Sequence, residues 1–157
     1  MSNEVQLIDL IARMGVHGGT SSPAPHKPLL VALVIALRAA QPAKSRLVRY
    51  ETIEGPMGDL LALAGRARRP WYPFVRMRQE PFWEVAGELE LNSSGDVARV
   101  AELRNPTVRG GFTAQFDAVA RDGLSSERII EALCARWFDT VLTGRVLTFL
   151  STEVSTS

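Results

Sequence analysis

Apolar residues recur at helical spacing along most of the chain. Leu7, Ile8, Ile11 and Met14 form one stripe, as in an amphipathic helix. Residues 29–37 are apolar on nearly every face and predict a buried helix that starts at Pro28 and ends before Pro42. Further helices are predicted at 57–64, 96–104 and 112–120. A long final helix, capped by Ser125, is expected to bury Ile129, Ile130, Leu133, Trp137 and Val141.

Alternating apolar and polar residues predict a few short strands. Residues 46–50 form one candidate, and 74–78 and 82–86 read as a β-hairpin around Gln79-Glu80-Pro81. The bracketing prolines of RRPWYPF indicate a stiff extended segment, and NPTVRGGF (105–112) indicates a turn with close backbone approach. We therefore expect an α+β fold, a mainly α-helical single domain with a small β-hairpin sheet. It would span residues 1–150, followed by a polar tail at 151–157.

Length and composition favour an ordinary globular protein. The 157 residues suit one domain, and 46% hydrophobic against 22% charged residues is typical of soluble folds. No apolar run reaches the roughly 20 residues that cross a bilayer, and the acidic N-terminal stretch is unlike a signal peptide. We expect a cytoplasmic protein with no membrane partner. Cys134 lies in an apolar helical pattern, which favours a buried thiol over a nucleophile.

Charge is balanced overall but uneven along the chain. The net charge is +1, and all but two of the 18 basic residues are arginine, which GC-rich coding explains as well as phosphate binding does. Between Ala64 and Arg78, however, the arginines at 66, 68, 69, 76 and 78 stand without a single acid. Such a stretch can present a positive face on a nearly neutral protein.

Signals for catalysis are weak. One cysteine and two histidines are too few for a zinc site, so no metal is expected. There is no phosphate-binding GxxxxGK[ST], no GxGxxG after a strand and no GxSxG elbow. A Ser-His-Asp triad stays open, since its order along a chain is free. The sequence therefore indicates a binding module that needs no cofactor.

Three segments carry the binding signal. His26-Lys27 lies at a predicted helix N-terminus, which attracts anions, although plain solvated residues would fit there too. In RARRPWYPF basic residues lie close to aromatic ones, as on protein surfaces that bind nucleic acid. Trp71 and Phe74 are better explained as residues that anchor the segment to the core. The third segment is Arg109 to Gly111, where a solvated arginine is the simpler interpretation.

Taken together and in order, PHKPLL, WYPF followed by FWEV, and NPTVRGGF resemble one known family. The chain is similar, from about residue 4 to residue 142, to the sulfur-binding domain of phosphorothioate-dependent type IV restriction endonucleases. The resemblance implies binding of phosphorothioate-modified double-stranded DNA. It also implies a His-Asn-His nuclease domain in the same parent polypeptide, outside this sequence.

The resemblance assigns roles to particular residues. It implies a sulfur cavity at Tyr72 and Pro73, with phosphate held by His26 and Lys27 and by the turn of Arg109, Gly110 and Gly111. Lysine in the basic pair gives a point charge in place of a bidentate guanidinium. Charge alone adds Arg66, Arg68 and Arg69 as backbone contacts, and position alone adds Thr20 and Ser21, within a Gly19–Ser22 loop that would follow the groove.

Three other functions stay open at this point. A general nucleic-acid-binding domain would stack a base on Tyr72 without any sulfur preference. A small hydrolase or transferase would use His26 with an unplaced partner. A protein-interaction adaptor would use the Trp71-Tyr72 segment as its hot spot.

Overall fold

The computed structural model describes residues 2–15, 24–94, 97 and 99–154. In these ranges the chain forms seven α-helices and a small three-stranded antiparallel sheet. The helices are α1 (Asn3–Ala12), α2 (His26–Ala40), α3 (Tyr50–Leu63), α4 (Trp71–Arg76), α5 (Ala114–Ala120), α6 (Gly123–Trp137) and α7 (Thr140–Glu153). The strands are β1 (Val48–Arg49), β2 (Trp83–Ala86) and β3 (Arg109–Phe112), and short 3₁₀ helices span Met77–Gln79 and Val100–Arg104.

Helix α2 forms the centre of the domain. Every residue from Leu29 to Ile35 is fully buried. A helix that is apolar all round needs neighbours on all sides, and α3, α4, α5 and α6 supply them. The N-terminal stripe is also confirmed, because Leu7, Ile11 and Met14 are buried. The mainly helical α+β fold is thus confirmed.

The predicted hairpin is wrong. Its first strand, 74–78, is instead the end of α4 and the 3₁₀ helix Met77–Gln79. The extended reading of RRPWYPF fails for the same reason: Pro70 is the N-cap of α4 and Pro73 lies in its first turn. Proline is accepted there, since the first N–H groups of a helix have no partner within it. Only the second strand, β2, is observed.

Strand β3 occupies the segment that was predicted to be a turn. It lies between β1 and β2, so RGGF is the middle of the sheet. Its glycines serve packing: a Cβ on Gly110 would lie 3.0 Å from Cε2 of Phe74, and one on Gly111 would lie 3.0 Å from the Arg46 carbonyl oxygen. The close approach expected of these glycines is therefore made to the protein's own core.

Gly110→Ala tests this packing. The added methyl group would meet the Phe74 ring at 3.0–3.2 Å, so the ring or the strand must shift. Overpacking of this kind costs about 1–3 kcal/mol. We expect a urea midpoint lowered accordingly, with the m-value unchanged. Gly123→Ala is the matched control, because no atom lies within 4 Å of its added carbon; equal losses in both variants would contradict the packing argument.

The predicted final helix is two helices. Asp122, and not Ser125, caps α6 by accepting a hydrogen bond from the Ser125 N–H at 2.9 Å. Phe138 is extended, and Asp139 caps α7 through the Leu142 N–H at 2.7 Å. Val141 consequently points outward and is 64% exposed. Helix α7 runs to Glu153, so the first residues of the predicted polar tail are helical.

The remaining predicted elements shift at their ends. The strand at 46–50 shortens to β1, and the helix at 57–64 is the second half of α3. Helix α5 matches 112–120 except at its start, which β3 takes. Of the helix predicted at 96–104, residues 100–104 are 3₁₀, while residues 96 and 98 lie outside the described residues.

Candidate nucleic-acid interface

Two distant sequence motifs meet at one cavity. The start of α2 packs beside α4, and between them lies a cavity of about 210 Å³. Its lining residues are Gly15, Ala24, His26, Lys27, Tyr72, Pro73, Arg76 and Gln79. The predicted His-Lys pair and the predicted Tyr-Pro pair therefore share one surface depression, although 44 residues or more separate them in the chain.

The Tyr72 ring forms an ordered wall of this cavity. His26 lies edge-on to it, with ring centroids 6.1 Å apart and planes inclined by 63°. The guanidinium carbon of Arg76 lies 4.4 Å from the Tyr72 ring centroid, within cation–π range. Pro73 is buried beside the tyrosine and carries no N–H. This wall combines apolar surface with a cationic edge.

Lys27 does not lie free at the cavity. It is only 8% exposed, and its Nζ donates to Oε2 of Glu80 at 2.8 Å. The ammonium expected to meet phosphate is thus already bound by a carboxylate, and Lys27 lines the cavity beside that ion pair. The first turn of α2 contains no acid, and its N-cap, Pro25, makes no side-chain cap hydrogen bond. The acid that pairs with Lys27 is therefore Glu80, which comes from outside the helix.

The basic turn between α3 and α4 leads to the cavity. Arg66, Arg68 and Arg69 are all exposed. Arg68 donates to Asp59, whereas Arg66 and Arg69 make no ion pair in the described part of the chain. The Arg69 carbonyl accepts a hydrogen bond from the Tyr72 N–H at 3.1 Å, which ties this turn to the tyrosine.

The predicted Arg-Gly-Gly turn lies elsewhere. Arg109 lines a second cavity of about 390 Å³ near the C-terminal end of α2, and its Nη1 donates to the Leu47 carbonyl at 3.4 Å. A helix of 15 residues is about 20 Å long, so the two cavities lie at opposite ends of α2. Gly110 and Gly111 are buried in the sheet. Thr20 and Ser21 lie outside the described residues.

Sequence reasoning missed Arg76 and Glu80. Arg76 follows Tyr72 by one helical turn, a spacing that becomes a signal only once the segment is known to be helical. Glu80 is 53 residues from Lys27, and no local pattern links them. Arg76 was counted in the basic stretch, without a role.

The described residues hold no cluster of three or more His, Cys, Asp or Glu side chains that could bind a metal ion. Cys134 is buried, and that burial raises the pKa of its thiol to about 11, which keeps it protonated and unreactive at neutral pH. Among the described helices, none combines the length and the apolar character of a membrane span.

The fold of this chain is similar to that of solved protein domains. No curated protein matches the chain. The sulfur binding domain of ScoMcrA complexed with phosphorothioated DNA superposes with a TM-score of 0.74 at 21% identity, over 94% of this chain and 97% of that one. The sulfur binding domain of SprMcrA, also complexed with phosphorothioated DNA, gives 0.64 at 18% identity, over 96% and 99%.

A larger relative contains the same fold as one part. The type IV phosphorothioation-dependent restriction endonuclease ScoMcrA superposes with a TM-score of 0.72 at 22% identity, over 94% of this chain but 32% of that chain. The family model for the ScoMcrA-like DNA sulfur-binding domain matches residues 4–152. That match spans nearly the whole sequence, and the chain therefore belongs to the ScoMcrA-like DNA sulfur-binding domain family.

Proposed function

We propose that this domain binds double-stranded DNA carrying a phosphorothioate linkage, with the sulfur in the cavity beside Tyr72 and Pro73. The observation that carries the proposal is the meeting of His26 and Lys27 with Tyr72 and Pro73 around one cavity. Membership of the sulfur-binding family supports it, and the two solved domains named above bind phosphorothioated DNA.

The cavity suits sulfur for a physical reason. Sulfur is larger, more polarisable and less strongly hydrated than oxygen. Its burial against the Tyr72 ring and Pro73 gains about 1 kcal/mol, as for a methyl-sized group. An ordinary phosphate oxygen against the same wall would lose water without a donor from the ring face or from Pro73, at a cost of about 1–3 kcal/mol. Together these effects predict a preference of roughly 30- to 1000-fold for the modified duplex.

Charges around the cavity would hold the DNA backbone. Arg66 and Arg69 are exposed on the adjoining turn and make no ion pair among the described residues, and Arg76 and His26 lie at the Tyr72 ring. Arg68 is partly neutralised by Asp59, and Lys27 is paired with Glu80. We assign a supporting role to Lys27. Phosphate contacts are assigned to Arg66, Arg69, Arg76 and His26. Arg109, Gly110 and Gly111 would contact DNA only if the duplex also reaches the far end of α2.

The domain would act as a recognition module. The solved ScoMcrA endonuclease is about three times as long as this fold, which leaves room for cleavage elsewhere in such a polypeptide. We propose that this domain performs no chemistry itself, and that its parent carries a His-Asn-His nuclease and works on DNA in the cytoplasm. The burial of Cys134 removes one candidate nucleophile.

The decisive experiment compares two duplexes that differ by one atom. Fluorescence anisotropy would measure the Kd for a phosphorothioate duplex of each stereochemistry and for its oxygen twin, across a panel of flanking sequences. We expect one modified duplex to bind at least about tenfold tighter than its twin. Equal binding in every pair, with a strong salt dependence, would leave a general DNA surface. Absence of DNA binding at moderate salt would favour a protein-interaction adaptor.

A further inference from the structure

The Lys27–Glu80 ion pair is the least expected feature of the cavity. Both side chains are about nine-tenths buried, with exposed fractions of 10% and 9%, and the N–O distance is 2.8 Å. Lys27 lines the cavity, whereas Glu80 is not among the lining residues. Burying two charges is costly, so a pair kept in this place calls for a reason beyond stability.

Glu80 is held where it stands. Its N–H donates to the Met77 carbonyl at 3.0 Å, and its carbonyl accepts from the Trp83 N–H at 3.2 Å. The residue therefore closes the 3₁₀ helix Met77–Gln79 and leads into β2. Both backbone groups of Glu80 are thus hydrogen-bonded, and its Oε2 accepts the hydrogen bond from Lys27.

The pairing changes what Lys27 offers to a ligand. A free ammonium is a compact, strongly hydrated charge that favours a hard oxygen anion over a soft sulfur. With Glu80 accepting one N–H and balancing the charge, the ammonium has less to offer a ligand, and Lys27 can contribute its aliphatic stem to the cavity that it lines. The stem adds apolar surface for sulfur, and the cation that would reward an unmodified phosphate is withheld.

We propose that Glu80 is a specificity-determining residue: by neutralising Lys27 it denies the cavity to ordinary phosphate oxygen and so sharpens the preference for sulfur. This inference rests on the proposed function of the same cavity. Glu80 acts through Lys27 and touches no DNA. Discrimination then comes partly from weakening the wrong partner, as in many specific interfaces.

Glu80→Gln tests the inference, because it keeps the shape and an acceptor but removes the charge. We expect the unmodified duplex to bind about tenfold tighter, the size of one added charge-assisted contact. The modified duplex should change by less than about threefold, so the ratio of the two affinities falls. For the unmodified duplex, the slope of log K against log salt should steepen by about 0.9, one more phosphate neutralised.

A double variant is the control. Lys27→Met with Glu80→Gln removes both charges and keeps an unbranched stem, so the gain in affinity for the unmodified duplex seen with Glu80→Gln alone should disappear. If Glu80→Gln does not fold, Glu80→Asp replaces it, with a smaller loss of discrimination in the same direction. Weaker binding of both duplexes by the same factor, or an unchanged ratio and salt slope, would overturn the inference. Lack of discrimination in the wild-type protein would instead refute the proposed function.

Discussion

Tyr72→Ala is expected to remove most of the preference for phosphorothioate DNA. The ring forms one wall of the cavity and supports both the His26 edge and the Arg76 guanidinium. Without the ring the cavity opens to water, and the sulfur of the modified duplex loses an apolar contact. The oxygen of the unmodified duplex gains nothing from that contact, so the difference between the two duplexes shrinks. Of a preference worth about 2–4 kcal/mol, we expect less than about 1 kcal/mol to remain. The measurement is the ratio of Kd values for the matched duplexes.

Tyr72→Phe is the matched control. It keeps the ring, its edge-on contact with His26 and its position under Arg76, and it removes only the hydroxyl. We expect the ratio of affinities to stay within about threefold of wild type, equivalent to less than 1 kcal/mol. If the phenylalanine variant lost the preference as completely as the alanine variant, the hydroxyl would be the discriminating group. The apolar-wall argument would then fail.

The sequence predicted the scaffold better than the site. Uniform apolarity of residues 29–37 sufficed to place α2 in the core, because a helix without a polar face has nowhere else to go. The segment RRPWYPF misled because its two prolines suggested extension, whereas Pro70 is the N-cap of α4 and Pro73 lies in its first turn. The glycines of β3 suggested a turn, whereas Gly110 is needed because the Phe74 ring leaves no room for a side chain there.

Within the site, long-range partners were invisible to local patterns. The family resemblance predicted that His26 and Tyr72 belong to one site. The packing of α2 on α4 places both residues at one cavity. Neither resemblance nor charge counting indicated that Lys27 is neutralised by Glu80. A run of basic residues predicts a positive charge at one place in the sequence. The fold determines which of those charges stays available to a ligand.

Asp117→Asn is expected to cause the largest loss of stability. Arg38 donates to both carboxylate oxygens of Asp117, at 2.8 and 3.0 Å, and the two side chains are 2% and 4% exposed. The pair joins the last turn of α2 to the first turn of α5, where each charge complements its helix dipole. Asparagine leaves the guanidinium buried without its counter-charge, at a cost of about 3–5 kcal/mol. Urea unfolding measures this loss directly.

The far position of this pair makes the variant informative about binding as well. Arg38 also donates to the carbonyls of Gln41 and Lys44, at the end of α2 opposite the cavity beside Tyr72 and Pro73. Where Asp117→Asn is still folded, its preference between matched duplexes should therefore equal that of wild type. Asp9→Asn breaks the exposed pair with Arg13 and should cost less than about 0.5 kcal/mol. Similar losses in the two variants would show that burial does not set the value of the Arg38–Asp117 pair.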